Sequence, residues 1–187
     1  MSGTIPAAGW RGTRPISCAG CWSGAWTIWD PVAVDFCHAA GAGAERQLRI
    51  GGKSSGMGGE PLDLCVTVMR VLDEGWQGFR NSRVTLGRAA VVRPLGTRAD
   101  IILITSRTQT YQPDIFTNLG IDFAAKDWLL VKSTNHFHAG FAPITSEIVY
   151  VAAPTSYPTN PAETPYRKAS LQLWPRVADP LGLDTKT

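Results

Sequence analysis

The chain has 187 residues, of which 44% are hydrophobic and 18% are charged, and its formal net charge is +3. These values are typical of a globular chain long enough for one domain with its own core, and they exclude an intrinsically disordered protein. Lysines and arginines are scattered without a basic stripe, so we expect no nucleic-acid binding. We also expect no membrane span, because no apolar run approaches ~18–20 residues. Since no secretory signal is recognisable, the expected location is the cytoplasm.

Residues 1–27 differ in composition from the rest of the chain and are predicted to be irregular. Glycine, proline, arginine, cysteine and tryptophan dominate this segment, and neither helical nor strand periodicity is present. Cys18 and Cys21 form a CxxC motif, but no second CxxC follows, so a zinc or redox site is not the favoured interpretation. Regular structure is predicted to start at Ile28, and residues 28–187 are predicted to form a single domain.

The first half of this domain is predicted to contain one helix and two strands. Asp30 followed by a proline is a typical helix start, and Gly41 is a typical helix end. Residues 47–50 are of strand type, and residues 61–72 alternate with period two, which predicts a long strand with one buried face. The composition of residues 75–83 predicts a turn-rich loop.

The second half of the domain is predicted to add four strands and a short helix. Residues 89–93 and 100–105 are β-rich runs joined by a Pro-Leu-Gly-Thr turn, which predicts a hairpin whose second strand is buried on both faces. A short helix follows at residues 113–119. The apolar run 128–131 is predicted to be the central, buried strand, and residues 147–152 are predicted to be the last strand.

From Pro154 onward the chain is rich in proline, threonine, serine and asparagine, which predicts a meandering tail. Tyr166, Arg167 and the Leu-Trp-Pro stretch at 173–175 are predicted to anchor this tail to the body of the domain. The order of the elements predicts an α/β fold, in which a mixed sheet with few short helices forms a single domain.

Polar side chains directly follow two of the predicted strands. Arg107 and Gln109 follow the strand 100–105, and the run 132–138 (KSTNHFH) follows the strand 128–131. Ligands of α/β proteins collect at the carboxyl ends of strands, so these residues form the candidate site. Arg107 and Gln109 would share a face if the strand continued, and could then bind a carboxylate; the alternative is a solvated strand end.

Within the run 132–138, His136 and His138 could act as a metal pair, since alternate residues of an extended strand face the same side. A catalytic zinc needs a third ligand and only His38 remains, so a polar contact to substrate or to another domain is favoured. Lys132 and Ser133 could suggest a serine–lysine nucleophile, but adjacent residues of a strand point to opposite faces. Lys132 is therefore predicted to bind an anion or a backbone carbonyl.

The glycine-rich segment 51–59 resembles a phosphate-binding loop only superficially. The GxxxxGK[ST] spacing is not met, and a strand-type run follows where a phosphate-binding loop would be followed by a helix. The segment is predicted to be a connection between strands, from which Lys53 could enter the site.

Several segments match a known family in sequence, order and spacing. They include LRIGGK at 48–53, TSRTQT at 105–110, KSTNHFHAGFAPI at 132–144, PYRK at 165–168 and LWP at 173–175. Through these segments the chain from Ile28 onward resembles the C-terminal domain of the microcystinase C (MlrC) family of zinc metallopeptidases. One departure is His138, at a position where the family carries arginine.

The resemblance implies an α/β fold and a role in peptide or amide hydrolysis by a zinc enzyme. It also implies that a large N-terminal domain, which supplies the zinc ligands, is absent from this chain. The chain would then be a C-terminal domain fragment that is inactive alone, with zinc held in the full-length enzyme and none bound by the fragment. Its expected partners are the missing metal-binding domain and a peptide substrate.

This domain is expected to contribute residues to the substrate cleft, where they would orient the substrate or polarise its carbonyl group. These residues are Lys132, Ser133, His136, Arg107, Gln109 and His138. Two other interpretations stay open. The chain could be a non-catalytic binding or structural module that packs against a partner domain, or a stand-alone hydrolase that uses both histidines.

The family opens this domain with a DNPGGG-type glycine loop followed by a helix, and residues 1–27 contain neither. Back-translation of residues 4–9 and 12–22 gives, in one neighbouring reading frame, a loop of this type and an amphipathic helix. We therefore hypothesise that residues from about Thr4 to about Ala25 are a frameshifted translation of that loop and helix. The nucleotide sequence of the gene tests this hypothesis.

Overall fold

The computed structural model describes residues 23–54, 59–151, 160, 162 and 164–181. The strands in these ranges are β1 (Gly24–Trp29), β2 (Glu45–Ile50), β3 (Leu62–Phe79), β4 (Ser82–Pro94), β5 (Asp100–Ile104) and β6 (Trp128–Leu130). The helices are α1 (Pro31–Ala40), α2 (Asp114–Asn118) and α3 (His138–Phe141), and short 3-10 turns occur at Phe123–Ala125 and Ala142–Ile144. No helix in these ranges is long and apolar enough to cross a membrane.

The strands form one mixed sheet with the order β2-β3-β4-β5-β1-β6. Neighbours from β2 to β5 are antiparallel, whereas β5, β1 and β6 are parallel to one another. This architecture confirms the predicted α/β fold, a mixed sheet with few short helices in a single domain. Because β3 runs in the same direction as β5, the strands β3, β5, β1 and β6 all end at one edge of the sheet, which we call the carboxyl edge.

Local sequence signals correctly predicted the start and the end of α1. The side chain of Asp30 accepts a hydrogen bond from the backbone N–H of Ala33 at 3.1 Å, as an N-cap does. A proline occupies the first helical position, where its missing N–H has no helical partner to lose. At the other end, Gly41 has a φ of +80°, a conformation that favours glycine.

Helices cover both faces of the sheet, which explains why β5 is apolar from its second residue onward. On one face Val34 of α1 belongs to the same buried cluster as Leu103. On the other face Phe116 of α2 and Phe141 of α3 pack in a cluster with Ile102. All residues of β5 are buried, so the prediction of a strand buried on both faces, after a hairpin from β4, is confirmed.

Within the described residues, regular structure begins at Gly24, so the prediction that it starts at Ile28 is wrong. β1 lies between β5 and β6, and Ala25, opposite Asp100, is fully buried. The sequence of β1 has no local strand pattern, because this strand forms through backbone pairing with residues far along the chain. Of the hypothesised frameshifted segment, only residues 23–25 are described: Ser23 is buried directly before β1, and Gly24 and Ala25 are the first two residues of β1. Cys18 and Cys21 lie outside the described residues.

The region 75–83 is not the loop that its composition predicted. β3 continues to Phe79 and β4 starts at Ser82, so residues 73–87 form a hairpin arm that extends beyond the end of β5. Gly75 is required by packing: a Cβ at this position would lie 3.1 Å from Cβ of Ala89 and 3.3 Å from Cβ of Leu86. The glycines therefore mark bulges and close approaches within a strand.

β6 is an edge strand, so the prediction of a central, buried strand at 128–131 is wrong. Trp128 is 56% exposed and Leu130 is 53% exposed. β6 pairs with β1 on one side, and no strand in the described part of the chain pairs with its other side. An apolar run predicts a strand, but it does not show whether that strand has neighbours on both sides or lies at the edge of the sheet with exposed apolar side chains.

The predictions for the C-terminal region are also corrected. Residues 147–151 are not a strand, since they enter no ladder of the described sheet, and residue 152 is not described. In the tail, the backbone carbonyl of Thr164 accepts a hydrogen bond from Arg176, whose guanidinium lies 5.9 Å from the ring centroid of Tyr166. Trp174 is 72% exposed, so it does not anchor the tail by burial.

Candidate functional site

The two predicted polar segments lie side by side at the carboxyl edge. One follows β5 and the other follows β6, and the backbone N–H of Thr110 donates to the carbonyl oxygen of Lys132 at 3.4 Å. The hydroxyl of Ser133 donates to the side-chain Oε1 of Gln109 at 2.9 Å. Residues separated by more than 20 positions in sequence are therefore brought together, as expected where parallel strands end at one edge.

Arg107 and Lys132 place two cationic groups at this edge. The guanidinium of Arg107 lies 5.4 Å from the ring centroid of Trp29, the last residue of β1, and the indole N–H of Trp29 donates to the carbonyl of Thr105 at 2.8 Å. Both cationic residues are exposed, and neither forms an ion pair with another residue in the described ranges. Their charges are therefore open to a ligand.

Arg107 and Gln109 were predicted to share a face if their strand continued. β5 ends at Ile104, so that condition is not met. The two side chains instead have different neighbours, since Arg107 stacks on Trp29 while Gln109 pairs with Ser133. Arg107 and Gln109 therefore lie beside different strands at the carboxyl edge and do not share one face of a strand.

His136 and His138 do not lie on an extended strand, so the geometry that the less favoured metal-pair interpretation requires is not present. β6 ends at Leu130 and the chain turns into α3, of which His138 is the first residue. The ring of His136 instead lies edge-on to two aromatic rings, with its centroid 5.5 Å from that of Phe79 and 5.9 Å from that of Tyr111. These three residues form what we call the aromatic cluster.

The aromatic cluster shows that the hairpin arm reaches the candidate site. Phe79 is at the tip of the arm, and its ring centroid is 4.5 Å from that of Tyr111. A further link is the carboxylate of Asp114 in α2, whose Oδ2 accepts from the backbone N–H of Gly78 at 2.8 Å. The arm, α2 and the segment after β5 are thus joined on one side of the carboxyl edge.

Gln77 is a residue of the site that the sequence did not reveal. Its side chain is completely buried in the hairpin arm, where Nε2 donates to the carbonyl oxygen of Gln109 at 2.6 Å and Oε1 accepts from the backbone N–H of Tyr111 at 2.9 Å. Both polar ends of the amide are therefore satisfied by one short backbone segment. Gln77 fixes the path of the chain at the point where Gln109 meets Ser133.

Asp30 and Lys53 form a second feature that the sequence only partly indicated. Asp30 directly follows β1 and is 3% exposed; its Oδ2 accepts from Lys53 Nζ at 2.6 Å and from the backbone N–H of Gly51 at 2.9 Å. Lys53 also donates to the carbonyl of Arg49. Lys53 thus lies near the end of β1, where a buried carboxylate neutralises its charge; that it could enter the candidate site stays a prediction.

The described residues do not fit a complete zinc site. None of their histidine, cysteine, aspartate and glutamate side chains form a group of three or more that could hold a metal ion. His38, the third histidine, has its Nε2 3.2 Å from the carbonyl oxygen of Ala89 and its Nδ1 3.8 Å from Asp73. The prediction that this chain alone binds no zinc stays a prediction.

The fold and the site together define an α/β domain that presents polar loops at the carboxyl ends of three parallel strands. Residues 23–168 match the sequence model of the family described as MlrC C-terminus, so the chain belongs to that family. This finding confirms the resemblance seen in the sequence motifs.

Two known proteins are similar to the chain. Microcystinase C from Sphingomonas sp. is 35% identical over 148 residues, which are 79% of this chain and 28% of that protein. The crystal structure of a candidate metallopeptidase from Mesorhizobium sp. BNC1 superposes with a TM-score of 0.61 at 22% identity, covering 66% of this chain and 25% of the other. The second likeness shows the fold alone. The chain spans only about a quarter of the length of either protein.

Proposed function

We propose that this chain is the C-terminal domain of an MlrC-type metallopeptidase and forms the substrate-orienting wall of a peptide cleft. The observation that carries the proposal is the contact between Gln109 and Ser133, which joins the two polar segments at the carboxyl edge. The 35% identity to Microcystinase C supports a role in peptide hydrolysis.

Each residue of the proposed wall has a chemical role that its surroundings allow. Lys132 and Arg107 are exposed cations that can attract a peptide carbonyl or carboxylate. Ser133 and Gln109 form a fixed pair with free hydrogen-bonding capacity, because an amide side chain has two donors and two lone pairs. His136 offers a polar edge beside apolar rings in the aromatic cluster, where a peptide side chain could pack.

The hydrolytic step itself is assigned to another part of the full-length enzyme. Peptide hydrolysis in a zinc enzyme needs a metal ligand set, and the described residues provide no group of three ligands. We propose that the zinc of the family is held by an N-terminal domain, that the substrate lies between the two domains, and that this chain alone is inactive. His138 is included in the wall as the first residue of α3, on the segment that carries His136.

Titration with a peptide tests the orienting role. The probe is an apolar tetrapeptide blocked at both ends, added to isotope-labelled protein while backbone amide signals are recorded by NMR. We expect saturable shifts confined to residues 105–111 and 132–138. Lys132→Ala and Ser133→Ala are each expected to weaken binding roughly threefold to tenfold, the loss expected for one hydrogen bond. Arg46→Ala, an exposed cation on β2 at the far edge of the sheet, is the control and should change nothing.

Zinc content and hydrolysis test the division between domains. The purified chain is expected to carry far less than one zinc per molecule and to leave peptides uncleaved when zinc is added. Stoichiometric zinc together with hydrolysis that His136→Ala abolishes would overturn the proposal in favour of a self-contained hydrolase.

The alternative function is a non-catalytic module that packs against a partner domain. The observation that favours it is the exposed apolar surface of β6 and of residues 149–151, where Tyr150 is 69% exposed and Val151 is 81% exposed. The peptide titration separates the two functions, because a purely structural module would give no localised shifts and no effect of Lys132→Ala.

A further inference from the structure

A polar cavity lies at the opposite end of β5 from the candidate site. Its volume is about 270 Å³, and it is lined by two arginines, Arg70 and Arg93, by Asp100 at the start of β5, and by the turn that follows α2, residues 119–121. Its position at the amino end of β5 separates it from the residues of the proposed peptide cleft, which follow the carboxyl ends of the strands.

A β-bulge places Arg70 in this cavity. Val68 pairs with Val92 and Arg70 pairs with Val91, so Met69 is an extra residue in β3. Without it, Arg70 would lie on the same face as Val68, because alternate residues of a strand share a face. The bulge moves Arg70 to the opposite face, where Val91 packs with the cluster under α2 and α3.

Gly120 makes room for the guanidinium of Arg70. A Cβ at position 120 would lie 2.4 Å from Nη1 and 3.5 Å from Cζ of Arg70. The φ of Gly120 is +79°, a value that also favours glycine. The arginine therefore lies close to the backbone of the turn after α2, at the rim of the cavity.

The charges around the cavity do not balance. Arg93 contacts Asp100 through Nε at 2.8 Å and Nη2 at 3.0 Å, and these hydrogen bonds raise the pKa of Arg93 above its usual value. Lys126 Nζ lies 2.6 Å from Oδ2 of the same carboxylate, the oxygen that Nη2 of Arg93 also contacts. Two cations thus share one buried anion, and Arg70 adds a third cation that has no ion-pair or hydrogen-bond partner among the described residues.

We propose that this cavity is a binding site for a small oxyanion, a carboxylate or a phosphate. The surplus positive charge attracts an anion, and the free Nη1 of Arg93 and the whole fork of Arg70 can donate to its oxygen atoms. Asp100 does not repel the ligand strongly, because two cations already neutralise it. The anion joins the bulge of β3 to the turn after α2.

NMR titration with inorganic phosphate and with acetate tests the site. We expect saturable shifts at the amides of Arg70, Gly120 and Ile121, with a dissociation constant on the order of 1–10 mM for a site of this exposure. Arg70→Ala should weaken binding roughly tenfold, and Arg70→Lys should weaken it less because it keeps the charge. Arg46 does not line the cavity, so Arg46→Ala is the matched control and should leave anion binding unchanged. Arg70 is exposed and unpaired in the described structure, so these variants should remain folded.

Two further ligands distinguish the source of the oxyanion. A dipeptide with a free carboxyl terminus and its amidated form are added at equal concentrations. Stronger shifts from the free acid than from acetate assign the site to a peptide carboxylate, whereas stronger shifts from phosphate assign it to a phosphate group. Shifts that spread over all basic residues without saturation, or that Arg70→Ala leaves unchanged, would overturn the proposal. Neither result affects the peptide titration at the carboxyl edge.

Discussion

The buried amide of Gln77 donates to the carbonyl oxygen of Gln109 at 2.6 Å, so a residue of the hairpin arm holds the backbone of the candidate site. The same amide accepts from the backbone N–H of Tyr111 at 2.9 Å, which leaves neither polar atom unsatisfied at full burial. Such an arrangement stabilises the fold only while both contacts are made, since an unpaired buried amide is costly.

Replacing Gln77 by alanine should therefore lower both stability and order at the site. We expect a loss of about 2–4 kcal/mol in the free energy of unfolding, because a cavity forms at a fully buried side chain and two partly buried backbone groups lose their partners. Urea unfolding gives the free energy, and hydrogen exchange at the amide of Tyr111 reports the local effect. Gln47→Ala, an exposed glutamine on β2, serves as the control. A loss below about 0.5 kcal/mol for Gln77→Ala would contradict the proposed role of Gln77 in holding the backbone of residues 109–111.

The pair Gly87 and Gly96 separates steric contact from backbone strain. Both have positive φ, +66° and +73°. A Cβ at Gly87 would lie 2.2 Å from Oγ1 of Thr105, whereas a Cβ at Gly96 meets nothing within 4 Å. Gly96→Ala is expected to cost about 1 kcal/mol of stability from backbone strain alone. Gly87→Ala should cost at least about 2 kcal/mol more, since the segment after β5 must shift.

Equal losses in urea unfolding for the two alanine variants would show that Thr105 and Ser106 are not packed against Gly87 as the structure has them. Because these two residues begin the polar segment of the site, Gly87→Ala is also expected to reduce peptide binding. Gly96→Ala should leave peptide binding unchanged, as Gly96 lies in the turn before β5.

A double-mutant cycle should reveal coupling between Asp30 and Lys53. Asp30→Ala is expected to cost about 2–4 kcal/mol, because it removes the helix cap as well as the ion pair, and Lys53→Ala about 1–3 kcal/mol. Since the two side chains are in contact at 2.6 Å, the coupling measured by urea unfolding should be about 1 kcal/mol or more. Additive losses would mean that the ion pair contributes nothing to stability.

The thiols of Cys37 and Cys65 should differ in reactivity. Cys37 is fully buried, and burial, with a smaller contribution from the charge of Asp30, raises its pKa from 9.0 to about 11. Cys65 is exposed. At pH 8 iodoacetamide should therefore modify Cys65 and spare Cys37, as read by mass spectrometry of peptides. Rapid modification of Cys37 in the folded protein would contradict its burial.

The raised pKa of Cys37 also predicts a loss of stability in alkaline solution. Between pH 9 and about 11 the unfolded state releases the thiol proton while the folded state retains it, so the folded state binds more protons. The free energy of unfolding must then fall as the pH rises through this interval. Cys37→Ala should have a shallower fall over the same interval, and an unchanged slope would assign the alkaline loss to other groups.

Features with a local cause could be predicted from the sequence. Asp30 before a proline predicted the start of α1, and the Pro-Leu-Gly-Thr turn before β5 predicted a hairpin. The short apolar run of β5 predicted burial on both faces. The positions of Gln109 and Ser133 after two strands were also predicted, although their contact was not. These signals depend on the residue itself and a few neighbours, or on the general geometry of α/β sheets.

Features that depend on distant partners could not be predicted. β1 was missed because its pairing residues lie in β5 and β6, and β6 was placed in the centre because its apolar run does not reveal how many neighbours it has. Gln77 lies in the hairpin arm, which was predicted to be a loop. The glycines of this arm lie in close contact with other residues, but in the sequence they give the segment the composition of a turn. The extended geometry considered for His136 and His138 is absent, because β6 ends at Leu130 and does not continue through them.

The position of β1 in the sheet constrains the order in which the protein can assemble. Residues 24–29 leave the ribosome before either of their neighbours, and they must stay unpaired until residues 100–104 have been synthesised. β6 is synthesised later still, at residues 128–130, and it pairs with the other side of β1. While residues 30–99 are synthesised, the nascent chain therefore carries an unpaired strand with two tryptophans, Trp26 and Trp29, a state in which protection by a chaperone would prevent misassociation.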